Sequence, residues 1–398
     1  MSMKISPLQT QSFKGHSAGR IKALYMQNSN LPAQIPIYNE LRTIGQKHNF
    51  DVFIHNQDEI QSGTMKYTSP KHCEYELWSQ DNKTILHKNG QTVVVSGMYM
   101  PQTEHIAAES FAKTRGVKLE KPELLLQGGN LFVGKKPDGK NYLIIGFKDI
   151  EVSAAHFYLK DKLGEVQYDD MDEFIVNLKL EKDGKKVADY EEFDRDFYKY
   201  GDMVIERLQK AFDVEKGDIT ILQQGQYHND LVIRPLNYPY VLVNDEEMSE
   251  ENLKKLEKAF RFDFKAKSFT KDLRKKLEEQ KKEYANCDTL CKKLERKGFI
   301  PIRIGGGYGI NTINFINSIV HQNGNDLIYI TNSGISGNKY YEYLQALFEQ
   351  DLKEKCPQIT KTYFVKGAII QNKSNIILEY LKQFKGGIHC LCAEEMQE

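Results

Sequence analysis

Apolar residues in this chain never run long. They come as short β-branched and aromatic bursts, and that pattern limits the fold more than any other feature. The bursts are Asp51 to His55, Thr92 to Ser96, Leu124 to Val133, Tyr142 to Phe147, Ile219 to Gln223, Leu231 to Ile233 and Asp326 to Thr331. Helical stretches such as Ala107 to Thr114 and Asp196 to Phe212 lie between them. Strands alternating with helices specify an α/β layered fold. The units recur loosely as strand-strand-helix-strand, without the fixed period of a solenoid. No burst approaches the roughly 20 apolar residues that span a bilayer, so no membrane partner is expected. The 398 residues hold 55 Lys plus Arg against 55 Asp plus Glu, a formal charge of +0. With no basic field, nucleic acid is not an expected partner either.

The first 18 residues read as a polar tail that lacks the continuous apolar stretch of a secretory signal. Six cysteines (Cys73, Cys287, Cys291, Cys356, Cys390 and Cys392) are too few for a disulfide scaffold and fit reduced thiols. A cytoplasmic location is the expectation, with export by a route independent of such a signal left open. Asp245 to Lys297 is dense in Lys and Glu, contains neither Pro nor Gly, and carries Leu253, Leu256, Phe260, Leu273, Leu277 and Tyr284 at helical spacing. It reads as a helical hairpin with a solvated charged face. The chain thus divides into a tail (1–18), a main domain (19–244 and 299–398) and a helical insertion (245–298). The oligomeric state is not legible.

Four places break the pattern of ordinary core and loop: Trp78-Ser79-Gln80-Asp81, Gln127-Gly128-Gly129-Asn130, His228-Asn229-Asp230, and Gly386-Gly387-Ile388-His389-Cys390-Leu391-Cys392. Alone, each has a bland reading: a buried cysteine, a satisfied histidine, a glycine bulge or turn, an aspartate opening a turn. In an extended segment His228 and Asp230 point the same way. Cys287 and Cys291 stand one helical turn apart with no second ligand pair to complete a metal site, and read as structural. Gly305-Gly306-Gly307-Tyr308-Gly309 lacks the endings of the phosphate-binding loops and reads as a flexible loop.

In this order the four places resemble the guanidine-modifying superfamily, the penteins, which include agmatine and arginine deiminases and bacterial peptidylarginine deiminases. Ser79-Gln80-Asp81 after Trp78 is similar to Trp-x-Arg-Asp, Gln127-Gly128-Gly129-Asn130 to Glu-Gly-Gly-Asp/Ser, His228-Asn229-Asp230 to His-x-Asp, and Gly387-Ile388-His389-Cys390 to the Gly-x-His-Cys that carries the nucleophile. Asn314 in Thr312-Ile313-Asn314-Phe315 resembles a further asparagine motif. The resemblance implies a pentein five-bladed α/β propeller of pseudo-repeats with a helical insertion. It implies Cys390 and His228 as catalytic residues, substrate contact by Asp81, Asp230, Gln127, Asn130 and Asn314, and neither metal nor organic cofactor.

The chemistry has its own logic. A guanidinium is a planar cation with five N–H donors, and holding it in a buried site demands carboxylates in its plane. A thiolate attacks its central carbon, and a histidine protonates the leaving amine. The expected function is a guanidine-modifying hydrolase, a deiminase, acting on a guanidinium-containing small molecule or on arginine within a peptide or protein. An amidinotransferase and a non-catalytic pentein that binds a protein partner are the alternatives. Because Gln127 is uncharged where the resembled family has glutamate, the sequence predicts a lowered pKa for His228.

Overall fold

The structure is a computed structural model that describes residues 19–27, 34–55, 79–97, 103–164, 181–182, 185–186, 189–223, 228–283, 285–309, 312–367 and 387–397. The expected tail and the motif residues Trp78 and Gly386 lie outside them.

The order opens with β1 (Ile21–Gln27), α1 (Gln34–His48) and β2 (Asp51–His55), followed by α2 (Ser79–Asn82), β3 (Thr84–Lys88), β4 (Gln91–Val95), α3 (Thr103–Arg115) and β5 (Lys118–Glu120). Next come β6 (Leu131–Lys135), β7 (Asn141–Gly146), α4 (Phe147–Leu163), the small ribbon β8 (Glu181–Lys182) and β9 (Lys185–Lys186), α5 (Tyr190–Phe212) and β10 (Val214–Leu222). β11 (Ile233–Pro235) and β12 (Tyr240–Asn244) precede three helices, α6 (Glu246–Ala259), α7 (Phe264–Glu283) and α8 (Cys287–Glu295), and then β13 (Ile300–Ile304). The chain finishes with β14 (Ser318–Asn323), β15 (Asp326–Asn332), α9 (Lys339–Lys355), β16 (Ile359–Val365) and β17 (Cys392–Met396).

Among the described residues these strands make five three-stranded sheets of one topology: β3-β4-β5, β6-β7-β10, β11-β12-β13, β14-β15-β16 and β17-β1-β2. In each, the middle strand pairs antiparallel with the strand before it and parallel with the strand after the helix. In the fifth sheet, "before" means the far end of the sequence, since β17 supplies the antiparallel neighbour of β1. Three of the middle strands are apolar bursts of the sequence, and their Val93–Val95, Tyr142–Ile145 and Leu327–Ile330 are all buried, as is Val241–Val243 of β12, which the sequence did not mark out. A strand paired on both edges and covered on both faces has no solvent side to mark with polar residues. This is the five-bladed arrangement expected from the motifs.

Among the described residues the 245–298 segment forms three helices joined by short turns, not the two of a hairpin; Tyr284 lies outside the described residues. Leu253, Leu256, Ala266 and Leu273 share one core with Ile304, Tyr308 and Phe315, and Leu290 and Leu294 share another with Phe132, Tyr142 and Val243. The segment therefore fills the crossover between β12 and β13 and is packed into the body of the fold. Cys287 and Cys291 are buried there with their sulfurs 3.7 Å apart. Among the described residues, no helix is long and apolar enough to cross a membrane.

His321 on β14 ties two sheets together. Its Nδ1 accepts from the Ile21 amide at 3.1 Å, and its Nε2 donates to the His48 carbonyl at 2.9 Å. Burial pushes its pKa down from 6.5 to about 4. Because the folded value is depressed, the neutral ring's contribution is complete above about pH 6.5 and is lost as the pH falls towards 4, a swing of about 3 kcal/mol. A glutamine can accept and donate at both ends without titrating. The difference in melting temperature between wild type and His321→Gln is therefore expected to shrink between about pH 7 and pH 4.5, as read by calorimetry at a series of pH values.

Candidate active site

Five short segments sit in equivalent places, each just ahead of the first strand of its sheet. They are α2 before β3, the 3-10 turn Gly128–Asn130 before β6, the 3-10 turn Asn229–Leu231 before β11, the Asn314–Asn317 bend before β14, and the turn at Ile388–Leu391 before β17. The described residues of the four motifs, and Asn314, fall on or directly beside these segments.

Hydrogen bonds join the five segments head to tail. Gln80 N donates to Cys390 O (3.2 Å), Gly129 N to Asp81 Oδ1 (2.9 Å), and Asn229 N to Asn130 Oδ1 (3.1 Å). Asn314 Nδ2 donates to Leu231 O (2.8 Å), and Asn317 Oδ1 accepts from His389 N (2.9 Å). The circle is closed.

Glycine is required where these segments touch. A Cβ on Gly128 would lie 1.8 Å from Gln80 O, and one on Gly129 would lie 2.2 Å from His228 Nδ1. A Cβ on Gly387 would lie 2.6 Å from the side-chain amides of Asn317 and Asn332. Of the bulge and the turn that the sequence left open for the glycine pair, the structure shows the turn, which lets two neighbours approach. After His228, whose own backbone is extended, Asn229–Leu231 is likewise a 3-10 turn, held at its two ends by Asn130 and Asn314.

The circle brings Asp81, His228, Asp230 and Cys390 together. One ligand atom each from His228, Asp230 and Cys390 lies within 4.8 Å of the others. His228 Nδ1 is 3.6 Å from Asp81 Oδ1. Asp230 Oδ2 accepts from Cys390 Sγ at 3.1 Å and from His389 Nδ1 at 2.8 Å, while its Oδ1 is buried with no hydrogen-bond partner among the described residues. Asn317 Nδ2 approaches Cys390 Sγ at 3.3 Å. His228 keeps 22% of its side chain exposed, whereas Cys390, Asp230 and His389 are buried.

Sequence reasoning missed three contributors. His389 stood in the nucleophile motif without a role; here it stacks on Phe132 with ring centroids 5.6 Å apart and holds Asp230. Asn317 steadies both the sulfur and the 389 amide. Asp149, in the first turn of α4, accepts from Gln127 N (3.0 Å) and Asn130 Nδ2 (2.9 Å), and no local motif marks it. Among the predicted residues, Gln127 Oε1 accepts from Asn130 Nδ2 at 3.1 Å. Asn314 commits its amide to backbone, with Oδ1 accepting from Ile316 N and Asn317 N at 2.9 and 3.0 Å. Its neighbour, the 305–309 glycine run, is not a flexible loop. Asn244 Oδ1 accepts from Gly306 N (3.2 Å) and Gly307 N (2.8 Å), and Gly307 bridges Asn314.

Charge in the site follows from burial and proximity. Burial raises the Cys390 thiol well above its ordinary range, and Asp230 and Asp81 add to the rise. Burial also works to raise Asp230, but hydrogen bonding and charge from His389, then His228, outweigh it and hold the carboxyl below its usual value. Burial raises Asp81, with Asp230 adding and His228 opposing. For His228 burial acts downward, yet Asp81, Asp230 and Asp149 together carry its pKa above the ordinary value. The lowered histidine expected from Gln127 is therefore overturned: three other carboxylates supply the charge that the amide lacks.

His228, Asp230 and Cys390 also carry donor types that bind zinc. To do so Cys390 would have to give up its proton, and with it the hydrogen bond to Asp230, since the thiolate is the ligand. The arrangement as it stands is that of a thiol, a carboxylate and an imidazole around an open oxygen. Cys392, the alternative nucleophile, lies within β17 paired with Met26, and burial raises its thiol too.

No protein-family model matches the chain, and no curated protein matches it by sequence. Among solved structures, an agmatine deiminase of C. jejuni aligns with a TM-score of 0.51 over 98% of this chain and 99% of its own, at 13% identity. An agmatine deiminase of Enterococcus faecalis covers 95% of this chain and 94% of its own at 12% identity and a TM-score of 0.47. DDAH from Pseudomonas aeruginosa covers 94% and 100% at 9% identity and 0.43. The fold is that of the penteins.

The glycine contact gives a direct test. Gly129→Ala forces a methyl into the His228 ring and is expected to cost about 1–3 kcal/mol of stability. It should also abolish selective alkylation of Cys390 by a cationic haloacetamidine, measured by intact mass and peptide mapping. Wild-type labelling in a folded Gly129→Ala protein would contradict the geometry.

Proposed function

We propose that this protein is a guanidine-modifying hydrolase, a deiminase that works through a covalent thiouronium on Cys390. The observation that carries the reading is the Asp230 carboxylate, which is held ionised, is shared with the Cys390 thiol on one oxygen and is open on the other. A buried carboxylate with an unpartnered oxygen calls for a cationic donor, since an uncompensated buried charge costs several kcal/mol. A guanidinium between Asp81 and Asp230 supplies N–H donors to both and brings its central carbon to the sulfur.

The thiol is neutral while the site is empty, because two carboxylates and burial oppose the thiolate. The arriving cation reverses that balance, so substrate itself promotes ionisation, the thiol proton passing to solvent and returning when the sulfur is set free at the end of the cycle. The thiolate then bonds to the guanidinium carbon. His228, held in its charged form by the surrounding acids, gives a proton to one nitrogen, and the C–N bond breaks to release ammonia. The neutral imidazole next takes a proton from water, whose oxygen bonds to the same carbon. The C–S bond breaks, leaving a ureido product and the free sulfur. The sum is guanidinium plus water giving urea-type product and ammonium.

Incubation with arginine, agmatine, methylarginines and an arginine peptide, with assays for ammonia and ureido product, tests the reading. Cys390→Ala should reduce turnover to background, while Asp230→Asn should weaken the accepted substrate by about 3–5 kcal/mol, roughly 10²- to 10⁴-fold. Haloacetamidine should outpace neutral iodoacetamide at Cys390, because only the cation brings its own countercharge. No product from any guanidine, or a stoichiometric bound zinc in purified protein, would overturn the proposal.

A further inference from the structure

Asp149 is a buried acid lying outside the circle of segments, on the first turn of α4, yet both of its oxygens point back to the site. One accepts the Gln127 amide and the other the Asn130 side chain, and Asn130 in turn accepts Asn229 N through Oδ1. Asn229 Nδ2 returns a bond to Asn130 O at 3.4 Å. We infer that Asp149 is the positioning residue of the site: through Gln127 and Asn130 it fixes the glycine turn against which His228 rests and the 229–231 turn that carries Asp230. The inference rests on the proposed reaction for its catalytic meaning, but its structural content can be read without turnover.

The hydrogen-bond polarity explains why an acid is needed. Asp149 meets two N–H donors, and a carboxylate offers an acceptor to each. An asparagine there would present one acceptor and one NH2 group, placing donor against donor at either Gln127 or Asn130. The Asn130 amide would lose its bond to the carboxylate and keep those to Gln127 Oε1 and Asn229 N, and any turning of it would put NH2 where Asn229 N donates. A single change at 149 would therefore propagate along three residues into the His228 segment.

Charge adds to position. Burial pushes Asp149 up to about 7, while the Gln127 and Asn130 bonds and the His228 charge oppose the rise and Asp81 favours it. His228 on the facing turn senses Asp81, Asp230, Asp149 and the cationic Lys148. Above about pH 7 Asp149 is ionised and favours imidazolium at 228; as the pH falls through that value the support is withdrawn.

The test compares wild type, Asp149→Asn and the double variant Asp149→Asn with Gln127→Glu, which moves a carboxylate to the other acceptor position beside Asn130. Melting temperatures are recorded alongside the His228 titration, followed by imidazole NMR, and the rate of Cys390 alkylation by haloacetamidine. Asp149→Asn should lower the His228 pKa and slow alkylation about tenfold, the factor that one pKa unit represents, and the double variant should recover much of both. In wild type, the Asp149 carboxyl carbon should titrate near neutrality, with a matching inflection in the His228 shifts; this measurement stands even if Asp149→Asn does not fold. An unchanged His228 titration and labelling rate in a folded Asp149→Asn protein, or no Asp149 inflection in wild type, would overturn the inference. Neither readout depends on finding a substrate. Failure of every guanidine assay with the His228 coupling intact would sink the deiminase reading and leave the positioning role standing.

Discussion

Five loops that hold one another in a circle of hydrogen bonds are the constraint on which this structure turns. Each loop precedes the first strand of a sheet, and each bonds to the next through an asparagine, an aspartate or a bare backbone group. A buried polar circle is favourable only when its members are satisfied, because a half-satisfied network in a low-dielectric interior costs more than an apolar one. Amides suit the task since one group both donates and accepts without adding charge. The side chains of Asn130, Asn314 and Asn317 provide three of the links and the Asp81 carboxylate a fourth, and the other charges of the site rest on Asp149, Asp230 and His228.

That division of labour explains the electrostatics. Three acids crowd one end of the fold, and two imidazoles lie among them. His389, behind the carboxylate, keeps Asp230 ionised; His228, in front, is kept cationic by the acids around it. Cys390 sits between these opposing influences and remains a thiol until a cation enters. The same carboxylate that accepts the thiol hydrogen in the empty site is available to the cation's N–H groups on its free oxygen.

Much of this was legible in the sequence, and the limits have physical causes. Three of the five middle strands stood out because a strand covered on both faces is apolar along its length, and the helices betrayed themselves by periodicity. The motifs located Asp81, His228, Asp230 and Cys390, since chemistry demands particular residue types. Asp149 left no local trace because its partners are 22 and 19 positions away and meet it only after β6 and β7 have paired. The conformation of the glycine segments was left open at the pair and misjudged at the run for a related reason. Gly128, Gly129 and the 305–307 run are dictated by what presses on them from other sheets, and a sequence does not display its neighbours in space. The inference from Gln127 to a weakened histidine failed in the same way, by counting only the charge that was missing at one position.

The pairing of β1 with β17 bears on the order in which the molecule becomes reactive. Tyr25 hydroxyl and Glu395 carboxylate, 370 positions apart, join at 2.5 Å beside Arg115, in a strand that begins two residues after Cys390. Contacts so distant in sequence demand that nearly the whole chain be gathered before they reward it, although loop-closure entropy grows only slowly with length. An intermediate with four sheets formed and this one open would hold its sulfur away from Asp230 and Asn317. Such an intermediate carries an ordinary solvated thiol with no cation site beside it. Assembly of the last sheet is thus also the step that arms the chemistry, so the population of competent sites reports on completed folding and on nothing earlier.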